Sequence, residues 1–167
     1  MRALAPLVAM LLLTLSGCPT ADDAACPGAA DLASGTVQAT VDGAAWETTG
    51  GAYLWGGPSL QITTDRVDGW QLSVVAQRDA EDTTLQDLVD AGSLPVTVTL
   101  LSGIEGGWAL VHADEGGPYE TDGTAGGEIT IQELADGDVL GCFHFEASDG
   151  TSTVVFEDGL LRVPESS

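Results

Sequence analysis

The sequence predicts an all-β domain, an antiparallel β-sandwich or flattened barrel with one short helix near residues 84–91. Three observations carry that expectation. Apolar and polar residues alternate over short runs, the period-two pattern of half-buried strands. Asp-Gly dipeptides separate the runs at close spacing, and Gly supplies the positive φ that tight hairpin turns need while Asp tolerates it. Finally, Gly127 to Ala147, GEITIQELADGDVLGCFHFEA, reads as two strands joined by a polar turn, with Ile129 and Ile131 on one side of the first and Phe143 and Phe145 on one side of the second.

The elements follow in order. Val37, Ala39 and Val41 define the first strand, Asp42-Gly43 a tight turn, and Ala44 to Thr48 a second strand carrying Trp46, whose apolar strand neighbours mark it for burial. Ala52 to Trp55, Ser59 to Thr64, Trp70 to Gln77, Leu94 to Leu101 and Trp108 to Ala113 supply the middle strands. Between them, Thr84 to Gly92 has a Thr cap, an acid three residues later, Leu85, Leu88 and Val89 on one face, and a closing Gly, the signature of a short helix that plugs one end of the domain. The acids before it, Asp79, Glu81 and Asp82, are expected in a solvated loop. After the 127–147 hairpin come Ser152 to Phe156, an Asp158-Gly159 turn, and Leu160 to Val163.

The 167 residues divide into 1–17 as a lipoprotein signal peptide, 18–35 as a flexible acidic spacer, and 36–164 as the β domain. Arg2 precedes an apolar run from Ala3 to Leu15, shorter than the ~20 residues that span a bilayer, as export signals are. It ends in Leu15-Ser16-Gly17-Cys18, which resembles the bacterial lipobox; that resemblance implies cleavage before Cys18, a diacylglyceryl group on its thiol, and acylation of the new N-terminus. Two or three acyl chains hold a protein stably at a membrane where one holds it marginally. Pro19 to Gly35 is mostly Ala, Asp, Gly and Pro, with little to bury.

The chain has 26 Asp and Glu against 4 Lys and Arg, for a formal net charge of -22. Such a surface repels nucleic acid and anionic headgroups, so neither is expected as a direct partner, and contact with the membrane is expected through the anchor alone.

The patterns VxATVDGxxW at Val37 to Trp46, GxITIxEL at Gly127 to Leu134, LGxFxFxA at Leu140 to Ala147 and VVFEDGLLRVP at Val154 to Pro164 resemble a family of small bacterial envelope lipoproteins with an all-β domain. The resemblance implies that fold and an envelope location, with the outer membrane as the expected site, and no activity.

Catalytic constellations are sparse. Only His112 and His144 offer a histidine base, and there is no Gly-x-Ser-x-Gly elbow or phosphate-binding glycine loop, so no catalytic residue and no cofactor is assigned. Cys142 and His144 share a strand face and could meet His112 at a transition metal, and Glu133, Asp136 and Asp138 could approach calcium. Neither set has the spacing of a recognised site, and no metal is assigned. Tyr53 and Trp55 fall on one strand face, where core packing is favoured over a glycan platform.

Cysteine parity is more informative. With Cys18 lipidated, Cys26 and Cys142 remain as an even pair in an oxidising compartment. Because Phe143 and Phe145 claim the inner face, Cys142 faces outward, where the N-terminal segment can reach it, and a Cys26–Cys142 disulfide is expected. These readings together describe a lipid-anchored, non-enzymatic binding or adhesion module for an extracytoplasmic protein or glycan; the alternative is a structural subunit of an envelope assembly. If Cys18 carries the anchor, Cys18→Ala moves the protein from the membrane to the soluble fraction, and a variant as membrane-bound as the wild type refutes the assignment.

Overall fold

The computed structural model describes residues 25–80, 83–101, 106–123 and 125–167. The expected signal peptide, Cys18 and the first part of the spacer lie outside them. No helix among the described residues is long and apolar enough to cross a membrane.

Among the described residues thirteen strands form in chain order: β1 (Thr36–Val41), β2 (Ala44–Thr48), β3 (Ala52–Gly56), β4 (Ser59–Thr63), β5 (Trp70–Gln77), β6 (Asp79–Ala80), β7 (Thr83–Thr84), β8 (Val96–Leu100), β9 (Trp108–Ala113), β10 (Tyr119–Glu120), β11 (Gly127–Ala135), β12 (Asp138–Ser148) and β13 (Thr153–Pro164). One helix, α1 (Leu85–Asp90), follows β7. Every ladder between these strands is antiparallel; β6, β7 and β10 are not among the expected strands, and the longer strands follow the expected elements closely. The strand expected at Leu94 begins at Val96, because Pro95 has no N–H to give to a ladder. Asp79, expected in a loop, instead pairs with Thr84 in the small β6–β7 ladder.

The main sheet runs β2-β1-β13-β12-β10-β9-β5-β4-β3, and β12 also pairs with β11, which pairs with β8. The long β12 thus serves two neighbours on one edge: its residues from Asp138 to Phe145 take β11, while Ser148 takes Glu120 of β10. The sheet curls until β3 meets the chain leaving β13, where Tyr53 bridges Glu165 and the Ser166 N–H donates to the Tyr53 carbonyl at 2.6 Å. Of the two expected shapes, this is the flattened barrel. α1 sends Leu85 and Val89 into the core, and Thr84 caps it in a reciprocal capping box with Asp87. The Thr84 backbone and hydroxyl hydrogen bonds hold the Asp87 carboxyl below its ordinary pKa.

The core is the inner face of the curl. Phe145 stacks on Phe156 at 4.7 Å and 15°, Phe143 on Phe145 at 6.0 Å, and Trp46 and Trp70 meet the Phe156 ring edge-on at 6.1 and 6.4 Å. Stacked and edge-to-face pairs each add about 0.5–1.5 kcal/mol to the area they bury. Trp46 is buried, as its sequence neighbours imply, and its Nε1 donates to the Val67 carbonyl at 3.1 Å.

The Asp-Gly dipeptides take different conformations, and at Asp149-Gly150 only the Gly has positive φ. At Asp42-Gly43, Asp68-Gly69 and Asp136-Gly137 both residues have positive φ, which matches the twist of the flanking strands. The turn expected at Asp158-Gly159 is absent: β13 runs through it as one strand of twelve residues. Against β1 the register passes from Gln38↔Leu160 to Thr40↔Glu157, so Asp158 and Gly159 together face Ala39 in a bulge, with Asp158 at φ 50°. The dipeptide is the same as in the turns, but β1 and β12 hold the chain on both sides of it, so the positive φ adds twist and does not reverse direction. Gly159 has a packing role there, since a Cβ would sit 2.5 Å from the Phe143 ring. Gly159→Ala is therefore expected to cost about 1–3 kcal/mol in urea denaturation through overpacking; an unchanged midpoint would show that the ring has room to move.

Candidate functional site

The expected spacer is fastened to the sheet from Cys26 onward, though most of its side chains there stay exposed. Cys26 and Ala29 are fully buried with Leu140 in a second apolar cluster on the outer face of β12, apart from the main core. A 3-10 turn at Ala29–Asp31 follows. Cys26 is disulfide-bonded to Cys142, closing a loop across 116 positions, and its N–H donates to Gln132 Oε1 at 2.6 Å. Arg162 of β13 completes the fastening. Its Nε donates to Asp138 Oδ2 at 2.8 Å, and its Nη1 reaches the carbonyls of Ala30 and Leu32 at 3.2 and 3.3 Å. Ser34 Oγ donates to the other Asp138 oxygen at 2.9 Å. Composition concealed this because the buried residues are a Cys and an Ala: one covalent bond and one cation supply what apolar area does not.

The same contacts place the residues considered for metals. Cys142 spends its sulfur on the disulfide, and Asp138 its carboxylate on Arg162 and Ser34. His144 lies opposite Glu128 on β11, and His112 opposite Gln71 on β5, on strands separated in the sheet by β10. No group of three His, Cys, Asp or Glu converges among the described residues. Tyr53 and Trp55 face inward: Tyr53 is buried, Trp55 packs against the core, and the Tyr53 hydroxyl donates to the Gly137 carbonyl at 3.2 Å. Burial, then the nearby Glu165 and Asp138 charges, raise the Tyr53 pKa. The hydrogen bonds that lower the Asp149 pKa come from Ser152 and Thr151 in a surface turn.

Two outer surfaces remain, and they differ in charge. Beside the docked N-terminal segment, a groove of about 740 Å³ runs over β11, β12 and β13, bordered by Ala25 and Pro27 and lined by Glu128, Glu146, Glu157 and Asp158. Those acids are exposed. Across the barrel, β3, β4, β5 and β9 carry no Asp, Glu, Lys or Arg at any position, inward or outward. Inward-facing positions of any strand are apolar. The outward ones of a chain with 26 acids are where charge belongs, and here it is missing.

The outward residues of these four strands line up in register. Leu54 pairs with Gln61, Gln61 with Val75, and Val75 with Trp108, so one row crosses all four strands on the outer face. Trp108 and Leu54 are each 40% exposed at the two ends of the row, and Gln61 and Val75 are half-buried between them. A second row brings Thr63, Ser73 and Leu110 together, and a third Gln71 and His112. Sequence reasoning favoured core packing for Tyr53 and Trp55, as the structure shows, and did not consider Trp108 as a platform. The signal was there in the charge-free strands, but which half of each strand faces out was set by the curl.

Comparison with family models, with curated proteins and with solved structures finds no match to the chain. The disulfide fastening is tested in the oxidised, denatured protein, where Cys26 and Cys142 should take up no thiol reagent. Replacing both with Ser should lower stability by about 2–5 kcal/mol; uptake at both sites, or an unchanged unfolding midpoint, would count against it.

Proposed function

We propose that the protein is a lipid-anchored, extracytoplasmic envelope protein, most simply of the outer membrane, that works as a non-enzymatic binding or adhesion module through the outer face of β3, β4, β5 and β9. The observation that carries the reading is the absence of charge on that face in so acidic a chain. A charge-free sheet face with an exposed Trp is poorly suited to keeping a protein soluble and well suited to contact. Support for the anchor comes from Leu15 to Cys18 and from the resemblance to bacterial lipoproteins. Docking of the chain at Cys26 leaves only Pro19 to Ala25 between the acylated Cys18 and the barrel, so the module would stand close to its membrane.

A second reading, a subunit of an envelope assembly, is favoured by β2. Among the described residues β2 pairs with β1 alone, and its outer edge could take a strand from a partner.

The test is a photoreactive benzoylphenylalanine incorporated in place of Val75, with the same group at His144 on the acidic face as comparison. Irradiation in the native envelope should give adducts from position 75 and few from 144. Equal yields from both, or none from 75, would refute the binding face.

A further inference from the structure

We propose that the charge-free face binds a neutral glycan, with Trp108 as the stacking platform and Gln61 as the amide that reads its hydroxyls. The inference rests on the binding-face reading above and names its ligand class. The row from Leu54 to Trp108 crosses four strands spaced about 4.8 Å apart, so it is about 14 Å long, the length of a short oligosaccharide. Trp108, 40% exposed at one end, supplies an indole on which pyranose C–H groups would stack. Gln61, Gln71, Thr63 and Ser73 place amide and hydroxyl groups on the same face, among the apolar Leu54, Val75 and Leu110. A Cβ on Gly56 would meet Gln61 Nε2, so the Gln61 carboxamide reaches over β3 at that glycine. Gln71 Nε2 is held by the Thr64 carbonyl at 3.1 Å, which fixes that amide beside His112. An amide held as Gln71 is suits hydroxyl recognition, because little of its side-chain freedom is left to lose on binding.

Charge selects among the possible occupants. An acidic polymer is repelled by a chain of net charge -22, and a cationic one would prefer the carboxylate-lined groove on the other side. A second copy of the chain brings the same net charge and would leave facing amides and hydroxyls buried with imperfect partners. A neutral polymer of hydroxyl groups meets neither penalty, and its hydroxyls match the amides as donors and acceptors.

The experiment is a titration of the full chain in detergent with cellohexaose, laminarihexaose and maltohexaose, with oligogalacturonate as the acidic comparator, read by intrinsic Trp fluorescence and by calorimetry. At least one neutral hexaose should bind saturably and oligogalacturonate should not. Trp108→Ala should weaken binding by about tenfold or more, the loss of one stacking contact, and His144→Ala should leave it unchanged. Both side chains are exposed, and thermal melting checks that each variant folds. Gln61→Ala supplies a second variant that should also weaken binding. Absence of binding by all three neutral hexaoses, or binding that survives both Trp108→Ala and Gln61→Ala, overturns the inference. If adducts still form from position 75, the binding face stands and its ligand class is wrong; copy-to-copy adducts would name a second chain as the occupant. If position 75 also gives no adducts, both readings fall together.

Discussion

Phe145 stacks on Phe156 at 4.7 Å across the longest strand pair of the molecule, and the rest of the sheet is built out from that contact. Trp46 from β2 and Trp70 from β5 both set their edges against the Phe156 ring, so strands from widely separated parts of the sheet are referred to one side chain. Phe143 extends the stack toward β11 and needs Gly159 opposite it to have room. Close packing makes this arrangement unforgiving: a ring cannot shift by half an ångström without displacing the ones it touches. The bulge at Asp158 follows from the same constraint. It advances the register of β13 between two partners that are already fixed, and it places the one residue without a Cβ beneath the ring.

The outer face of β12 is organised on a different principle. There Leu140, Cys26 and Ala29 bury too little area to hold a segment of chain by the hydrophobic effect alone. The disulfide restricts how far that segment can depart in the unfolded state, and Arg162 gathers the Asp138 carboxylate with two backbone carbonyls. Asp138 is nearly buried, and its charge is balanced by Arg162 and bonded by Ser34. In a chain with so few cations, the placement of this one at the junction of β12, β13 and the N-terminal segment shows how much of the local architecture it serves. It is a charge-assisted, several-armed contact and not one more surface ion pair of the kind Arg66 makes with Asp114.

Acidity is unevenly distributed over the barrel. Carboxylates gather over β11, β12 and β13, where they solvate the face next to the docked segment; β3, β4, β5 and β9 have none. The net charge favours solubility and keeps like molecules apart. On the proposed reading of a binding module crowded at a membrane, the acidic face would discourage self-association and leave the neutral one open.

Most of the fold was legible along the chain. The alternation of Val37, Ala39 and Val41, the Ile129–Ile131 and Phe143–Phe145 pairs, and the Thr84 capping box are local patterns, written in residues a few positions apart, and the strands and helix form where those patterns lie. Even the long-range Cys26–Cys142 bond was readable, because parity and strand phase left little choice of partner. Three things depended on tertiary structure. Asp158-Gly159 became a bulge because partners on both sides held the strand straight. Ala25 to Gly35 lies against the sheet because Arg162, more than a hundred residues away, supplies the donors. And Trp108, not Tyr53 or Trp55, stands outward because the direction of the curl decides which face of each strand is inside. Strand phase is a local property and can be read from sequence; the sense in which a sheet closes is a property of all its strands at once, and only the folded chain decides it.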